Sequence, residues 1–347
     1  MSRLEGVRVF LTGHTGFKGS WAVALLRRLG ATVTGYALAP PTQPSLFEES
    51  SIVDSVEHRL GDVRDAELLA RTMRDASPDC VLHLAAQSLV LEGLRAPVET
   101  YAVNVLGTAN VLEAMRHLPA VRAAVIVTSD KCYEPAPRAL RENDPLGGHD
   151  PYSASKAAAE MVLQGYRAVL DPKCVVASAR AGNVIGGGDW ADRRLFADLA
   201  RAALRDGRLT LRHPEAVRPW QHVLDALAGY VAILSRALSG DASVARAWNF
   251  GPSAPDHVTV RDAVERFSRA YGSPVAIEVD AAAAPENPVL RLESGDARER
   301  LGWVPAFGLT EAIDETARFY RRRAAGEPVR ALLEESVDRY AAQADPA

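Results

Sequence analysis

The apolar run Val7-Arg8-Val9-Phe10-Leu11 is followed at residues 13–21 by GHTGFKGSW, and this stretch carries most of the fold information. Three glycines, Gly13, Gly16 and Gly19, stand where a strand gives way to a helix. Glycine allows a tight turn and a close approach of the backbone to another group, and the free amides of a helix N-terminus attract anions. The pattern predicts a turn that binds a dinucleotide pyrophosphate. A simple strand-to-helix turn is the alternative.

Further apolar runs alternate with helical patterns along the chain: TVTGYAL, DCVLHLAA, AAVIVTS and CVVASARAG. Strands that are apolar on both faces belong to parallel sheets covered by helices. The sequence therefore predicts an α/β fold, a Rossmann-type doubly wound parallel sheet, with a smaller C-terminal substrate domain.

Composition excludes several classes of function. The 347-residue chain has a formal net charge of -4, so it offers no basic surface for nucleic acid. Three cysteines without metal-ligand spacing predict neither a disulfide framework nor a metal site. We find no signal peptide and no apolar run of membrane-spanning length. These features predict a cytoplasmic protein with no nucleic-acid or membrane partner.

Charged residues near the glycine turn sharpen the prediction. Lys18 is a cation near the positive end of a helix, which is unfavourable unless an anion lies nearby, and His14 could contribute likewise. The second strand ends in GYALAPP without the carboxylate that usually binds the ribose. The cofactor is therefore expected to be NAD, with NADP as the alternative. Asp62-Val63 could contact the adenine, or be a helix cap and a buried valine.

A tyrosine and a lysine four residues apart, Tyr152 and Lys156, follow Asp150 and Pro151 in DPYSASK. The aspartate and proline predict a capped helix start, and the spacing puts both side chains on one helix face. An adjacent ammonium favours the phenolate and would make the tyrosine a usable base. A surface pair is the alternative.

Three polar residues, Ser129, Asp130 and Lys131, leave the fifth strand at its carboxyl end, where open parallel sheets place their ligands. The serine could hydrogen-bond the substrate oxygen that Tyr152 deprotonates, and the other two could serve a second proton transfer. A strand-end ion pair is the alternative.

Together the glycine turn, HLAAQ, TSDKCY and YxxxK resemble the extended short-chain dehydrogenase/reductase family. More narrowly, several motifs along almost the whole chain resemble the CDP-glucose 4,6-dehydratases: TGHTGFKGSW, TGYALAPPTQPSLFE, TSDKCYE, RENDPLGGHDPYSASK, NVIGGGDWADRRL, RPWQHV and ARERLGW. The resemblance implies a cofactor site formed by Gly13, His14, Gly16, Phe17, Lys18, Gly19, Asp62, Val63, Ala85, Ala86, Gln87 and Asn104.

The resemblance also implies an internal redox cycle on a nucleotide sugar. Tyr152 takes the proton of the carbon-four hydroxyl while hydride passes to NAD, water leaves across carbons five and six, and hydride returns to carbon six. The product is a 4-keto-6-deoxy sugar nucleotide. Asp130 is expected to be the acid for the departing hydroxyl and Lys131 the carbon-five base, which would require burial of the amine.

By the same resemblance Asn183 contacts the sugar nucleotide and Arg218 its diphosphate, although Arg218 could instead form a structural salt bridge. Ser88 and Glu92 depart from the family, which has a proline and basic residues there, and the loop after Tyr133 is shorter. These departures bear on substrate choice.

The expected cofactor domain comprises residues 1–182 plus about 221–252, and the expected substrate domain comprises 183–220 and 253–347. The resemblance implies a homodimer through helices near 98–116 and 152–169. An NDP-sugar 4-epimerase or ketoreductase with the same Tyr/Lys chemistry is the near alternative. A nonenzymatic nucleotide sensor is the alternative from another class.

Overall fold

A computed structural model describes residues 3–205, 207–252, 258–280 and 291–344. Within these residues, seven parallel strands form one sheet, in the order β10-β6-β5-β4-β1-β2-β3. Its strands are β1 (Arg8–Thr12), β2 (Thr32–Ala37), β3 (Glu57–Leu60), β4 (Cys80–His83), β5 (Ala123–Val127), β6 (Val175–Ala181) and β10 (Ala247–Phe250). The order of the sheet reverses between β1 and β4, and ligands of such sheets bind at that reversal.

Helices cover both faces of this sheet, as predicted. They are α1 (Phe17–Arg28), α2 (Leu46–Glu49), α3 (Ala66–Ala76), α4 (Val90–Arg95), α5 (Pro97–Tyr101), α6 (Gly107–Arg116), α7 (Pro151–Tyr166), α8 (Leu195–Leu204), α9 (Val223–Leu238), α10 (Val260–Tyr271), α11 (Gly295–Leu301), α12 (Leu309–Ala324) and α13 (Val329–Ala344).

Successive residues of the central strands enter two different hydrophobic cores, which explains why these strands are apolar without alternation. In β1, Val9 and Leu11 pack into the core that includes α1 and α9, whereas Phe10 packs into the core that includes α3 and α6. Both faces are buried, so both favour apolar side chains. The predicted Rossmann-type fold is confirmed.

The remaining strands form two small parallel pairs outside the main sheet. They are β7 (Val184–Ile185) with β9 (Gln221–His222), and β8 (Arg208–Leu211) with β11 (Ala276–Val279). The core that contains α1 continues without a break into α10, α12 and α13. The division into two domains therefore stays a prediction.

The fourth strand is shorter than the sequence pattern indicates. It ends at His83, before the last three residues of the apolar run DCVLHLAA, where the amides of Leu84 and Ala85 both donate to Thr12 Oγ1 at 3.1 Å. The chain thus leaves the strand ladder and passes over the glycine turn. Among the described helices, none combines the length and the apolar character that crossing a bilayer requires.

Candidate active site

The glycine turn between β1 and α1 has a separate steric reason for each glycine. Gly13 has a φ of +77°, and a Cβ there would lie 2.8 Å from the backbone nitrogen of Ala85. A Cβ on Gly19 would lie 2.1 Å from the carbonyl oxygen of Gly13, so this glycine allows the helix to pack against the turn. Gly16 differs, because a Cβ there would meet only the Gly13 oxygen at 3.5 Å. The open side of the turn is therefore at Gly16.

The N-terminus of α1 begins at this opening and suits an anion. Its cap residue Gly16 supplies no side-chain hydrogen bond, and the first turn contains no acidic residue. The first amides of a helix have no partner within the helix, so those of Phe17, Lys18 and Gly19 can bind phosphate oxygens. The residues present fit a dinucleotide pyrophosphate.

Lys18 points from this turn toward the residues predicted to be catalytic. Its Nζ lies 3.4 Å from the hydroxyl of Tyr230 on α9. Burial, with smaller contributions from Arg194 and Lys156, lowers the pKa of Lys18 to about 7, and Asp130 acts in the opposite direction. Its amine is therefore partly neutral at physiological pH.

His14 does not supply the positive charge that we expected from the sequence. Its ring is fully buried, and its Nε2 lies 2.6 Å from Nδ1 of His58. Burial, and to a lesser degree His58, lowers the pKa of His14 to about 4. The ring is neutral at physiological pH, so the expected cationic role of His14 is wrong.

The loop after β4 is held by Asn104, which lies in a π-helical turn between α5 and α6. Its Oδ1 accepts from the amide of Gln87, and its Nδ2 donates to the Gln87 carbonyl and to Ser155 Oγ, each at 2.9 Å. The Gln87 side chain donates to Thr100. Asn104 thus fixes the loop containing Ala85 and Ala86 to the helix α7, which carries Tyr152.

Asp62 and Val63 follow β3. Asp62 pairs with Arg64, whose hydrogen bonds lower the pKa of the Asp62 carboxyl. Val63 is buried against Gly107. The cap of α3 is Asp65, which accepts from the amide of Leu68. The buried valine is therefore present, the cap lies three residues further on, and an adenine contact stays a prediction.

Tyr152 and Lys156 occupy the first turns of α7, which Asp150 caps as predicted by accepting from the amide of Ser153 at 3.0 Å. Both side chains are buried, so they are not a surface pair. Lys156 Nζ donates to the Val127 carbonyl at 3.2 Å. Burial lowers the pKa of Lys156 to about 8.

Burial raises the pKa of Tyr152 to about 12, although the neighbouring Ser129 acts in the opposite direction. For the protein alone, loss of hydration disfavours the charged phenolate. The use of Tyr152 as a base assisted by Lys156 therefore stays a prediction.

Ser129 and Asp130 lie at the end of β5, beside Tyr152. Ser129 Oγ donates to Asp130 Oδ1 at 2.9 Å. The other carboxyl oxygen, Oδ2, is buried and has no hydrogen-bond partner among the described residues. Burial raises the pKa of Asp130, while Lys131, Ser129 and Arg218 act in the opposite direction. A buried carboxyl with a free oxygen can deliver a proton to a bound ligand.

Lys131 and Arg218 act on this carboxyl through their charge, and Asn183 lies further along the chain, after β6. Lys131 is half-buried in a short 3₁₀ turn over Asp130–Cys132. Arg218 is also half-buried, and its charge reaches Asp130. Asn183 is exposed, and its carbonyl accepts from the amide of Gln221 at 3.0 Å. The roles of these three residues stay predictions.

Arg194 is a site residue that the sequence reasoning missed. It precedes α8, donates to Ser88 Oγ at 3.0 Å and pairs with Asp189 at 3.3 Å. Its charge reaches both Tyr152 and Lys18. The signal in the sequence was the arginine pair of DWADRRL, which follows a glycine-rich turn. Glu92, another departure from the family, forms a surface pair with Arg95.

The assembled site combines a buried phenol, a buried carboxyl, amines whose pKa is lowered, and two arginines. This set can bind an anionic ligand and transfer protons at more than one position. We found no group of three or more histidine, cysteine or acidic side chains suited to a metal ion among the residues described.

Comparisons with known proteins place these features in context. The sequence matches the NAD dependent epimerase/dehydratase family over residues 9–251. It is 40% identical over 346 residues to a CDP-glucose 4,6-dehydratase from Salmonella typhimurium, a match that covers 97% of this chain and 96% of that protein.

Two solved structures share the fold over nearly their full length. A dTDP-glucose 4,6-dehydratase from Streptomyces venezuelae, solved with NAD bound, has 25% identity and a TM-score of 0.77, and the match covers 93% of this chain and 99% of that one. A UDP-glucose 4-epimerase from Thermus thermophilus, in complex with NAD, has 26% identity and a TM-score of 0.77, and the match covers 90% and 99%.

Proposed function

Because the chain belongs to the NAD dependent epimerase/dehydratase family, we propose that it is a sugar-nucleotide 4,6-dehydratase. Its substrate is CDP-glucose or a related NDP-hexose, and its product is the 4-keto-6-deoxy sugar nucleotide. The family expected from the sequence is confirmed. The identity of 40% with a CDP-glucose 4,6-dehydratase supports this substrate class.

The observation that carries the proposal is the carboxyl of Asp130. An epimerase or ketoreductase exchanges hydride and one proton, whereas elimination of water also requires an acid for the departing hydroxyl. Asp130 is buried, its pKa is raised by that burial, and its Oδ2 has no partner among the described residues. Burial favours the protonated form of this carboxyl, and its Oδ2 can present the proton to a ligand.

We assign the other side chains in the order of the reaction steps. Tyr152 accepts the proton of the carbon-four hydroxyl, with Ser129 donating a hydrogen bond to the same oxygen. Asp130 protonates the carbon-six hydroxyl as it departs. Lys131 takes the carbon-five proton, which the carbon-four ketone has made acidic.

The cofactor is NAD, held by the glycine turn and the first amides of α1. When bound, it supplies the hydride acceptor and donor and the positive charge of the nicotinamide ring. Lys156 places a second cation on the Tyr152 side, and an opposite charge nearby is what lowers the pKa of a buried phenol.

Two arginines from the second half of the chain support an anionic substrate. The charge of Arg218 acts on the carboxyl of Asp130, and the charge of Arg194 acts on the phenol of Tyr152. A guanidinium binds a phosphate through two parallel hydrogen bonds. We assign the diphosphate to Arg218, and a sugar or phosphate contact to Arg194 once it leaves Ser88.

The first experiment is mass spectrometry of CDP-glucose incubated with the purified protein and added NAD. Loss of one water without accumulation of NADH is the expected result. An unchanged mass would redirect attention to dTDP- and UDP-glucose, and an epimer of unchanged mass, separated by chromatography, would contradict dehydration. If no nucleotide sugar is altered, the nonenzymatic sensor becomes the better interpretation.

Asp130→Asn separates elimination from oxidation. We expect dehydration to fall by about 100-fold or more, because the acid for the departing hydroxyl is gone, while NAD is still reduced to NADH, observed by its absorbance. Asp144→Asn is the matched control, since Asp144 pairs with Arg138 in the neighbouring loop. Unchanged dehydration by Asp130→Asn would remove Asp130 from its assigned role.

We also propose that the protein is a cytoplasmic homodimer. Exposed apolar side chains occur on the segment from α4 to α7, in a set that we call the apolar helix face: Leu94, Val98, Tyr101, Leu106 and Met161. A homodimer would cover this face. The three cysteines are free, as is usual in a reducing compartment such as the cytoplasm.

A further inference from the structure

Helix α7 carries a buried carboxylate that has no part in the proton transfers described above. Glu160 follows Lys156 by four residues and Tyr152 by eight, so the three side chains line one face of the helix. Only 6% of Glu160 is exposed. Carboxylates are almost never buried to this degree unless they are paired.

Four hydrogen bonds to the Glu160 carboxylate replace the water that it loses on burial. Thr128 Oγ1 donates to Glu160 Oε1 at 2.5 Å, and Ser178 Oγ donates to Oε2 at 2.7 Å. Arg180 on β6 donates from Nε to Oε1 at 2.9 Å and from Nη2 to Oε2 at 2.8 Å. Because Thr128 directly precedes Ser129, one carboxylate joins the helix of Tyr152 to the strand end of Asp130.

Arg180 extends the same connection to the segment that follows Lys131. Its Nη1 donates to the hydroxyl of Tyr133 at 2.8 Å and to the Glu142 carbonyl at 2.9 Å. The Tyr133 hydroxyl donates in turn to Asn249 Oδ1 at 2.6 Å. The Glu160–Arg180 pair therefore connects α7, which carries Tyr152, to the residues on both sides of the segment Ser129–Lys131.

Stability alone does not explain such a pair. The desolvation of two buried charges can outweigh their attraction, and apolar residues of similar volume often replace them without loss of stability. Two charges fixed by four directed hydrogen bonds do, however, set the distance between three backbone segments. A difference of about 1 Å in such a distance can change a rate by about 100-fold.

We propose that Glu160, held by Arg180, is a positioning residue that sets the catalytic helix against the strand end bearing Ser129 and Asp130 and keeps a negative charge beside Lys156. The inference rests on the proposed function for its effect on turnover. Its electrostatic part can be measured on the protein without substrate.

The charge beside Lys156 gives a measurable signature. Burial lowers the pKa of Lys156, while Cys132 and Glu160 oppose that change. Lys18 from α1 and His83 from β4 also interact with Lys156 through its charge, and Tyr152 lies one turn before it on α7. Replacing the Glu160 carboxylate by an amide leaves Arg180 unpaired, so the Lys156 ammonium should lose its proton at lower pH.

The composition makes this titration accessible. The sequence has four lysines, at positions 18, 131, 156 and 173. Protein labelled with [¹³C]lysine should give four Cε signals by NMR, which Lys→Arg variants assign. In Glu160→Gln we expect the titration midpoint of Lys156 to fall by about one pH unit. We expect kcat to fall by about 10-fold or more with KM little changed.

Glu160→Asp separates charge from geometry. Its shorter side chain keeps the charge, so the Lys156 midpoint should return close to the wild-type value while kcat recovers only in part. Glu315→Gln is the matched control, because Glu315 is a buried carboxylate that accepts from Arg339 between α12 and α13. It should change thermal stability without moving the Lys156 midpoint.

A folded Glu160→Gln variant with the wild-type Lys156 midpoint and kcat would overturn the inference, and so would an equal midpoint shift in Glu315→Gln. If Glu160→Gln does not fold, Thr128→Val takes its place, and an unchanged kcat in that variant would overturn the inference. If the wild-type protein converts none of the nucleotide sugars, the proposed function fails, and the NMR titration still tests the charge beside Lys156.

Discussion

Lysine is scarce in this chain and is concentrated at the candidate site. Of the 40 lysines and arginines, four are lysines, and three of these, Lys18, Lys131 and Lys156, lie around Tyr152 and Asp130. A guanidinium keeps its proton in proteins, whereas a buried amine can lose it. The choice of lysine at these positions therefore agrees with sites where protons are exchanged.

Glycine 19 gives the sharpest test of the cofactor turn. In Gly19→Ala the new Cβ would lie 2.1 Å from the Gly13 carbonyl oxygen, so helix and turn must separate. We expect the free energy of unfolding to fall by about 1–3 kcal/mol, measured by urea denaturation, and NAD binding to be lost in calorimetry.

Gly165→Ala is the control for this substitution. Gly165 lies within α7, and a Cβ there would meet nothing within 4 Å. The change should leave NAD binding intact and stabilise the protein by up to about 1 kcal/mol. If Gly19→Ala binds NAD with wild-type affinity, NAD binding does not require the close packing of α1 against the Gly13 carbonyl.

Secondary-structure elements far apart in the chain meet at buried polar groups. Asp225 on α9 accepts from the amide of Ala306 at 2.7 Å, and the hydroxyl of Tyr340 on α13 lies beside it. Its Oδ2 has no hydrogen-bond partner among the described residues. Burial raises the pKa of Asp225 from 3.8 to about 7.

This shift predicts how stability depends on pH. Between about pH 4 and pH 7 the folded state holds the Asp225 proton and the unfolded state does not, so the free energy of unfolding falls as pH rises through that window. Asp225→Asn cannot ionise and escapes this loss. We expect it to melt higher than the wild type by about 2 °C or more at pH 8, with little difference at pH 4.5.

Asp241→Asn should show the opposite sign. Hydrogen bonds from Ser243 and Arg236 lower the pKa of Asp241, so its charged form stabilises the fold at pH 8 and the amide should reduce the melting temperature there. Calorimetric scans of both variants at both pH values provide the comparison. A lower melting temperature for Asp225→Asn at pH 8 would contradict the assignment.

The apolar helix face is exposed to solvent in the single chain. In the apolar helix face Val98 is 82% exposed, and Met161 on the neighbouring helix α7 is 61% exposed. Where exposed apolar side chains form a contiguous patch, they mark an interaction surface. A second copy of the chain would bury them around a two-fold axis, the commonest symmetry of homo-oligomers.

Val98→Asp tests that assembly. A carboxylate in this face would be buried in the dimer interface, so we expect a monomer by light scattering where the wild type is a dimer. Val304→Asp is the matched control, because Val304 is 66% exposed in the chain segment between α11 and α12. A monomeric wild type, or a dimeric Val98→Asp, would reject this interface.

Local patterns were sufficient for the sheet, the glycine turn and the start of the helix that carries Tyr152 and Lys156. Apolar runs report burial on both faces of a strand, and a spacing of four reports one face of a helix, so each can be recognised within a few neighbouring residues. The motifs around Ser129 and Asp130 were recognisable for the same reason.

Only the tertiary structure could establish the protonation states and the contacts between residues that lie far apart in the sequence. Lys18 meets Tyr230 across 212 positions, and Arg194 meets Ser88 across 106. The neutral His14, the high pKa of Tyr152 and the joining of α7 to β5 by Glu160 all depend on burial and on charges brought in from such distances. A pKa is a property of the surrounding dielectric and charges, which no local pattern of residues contains.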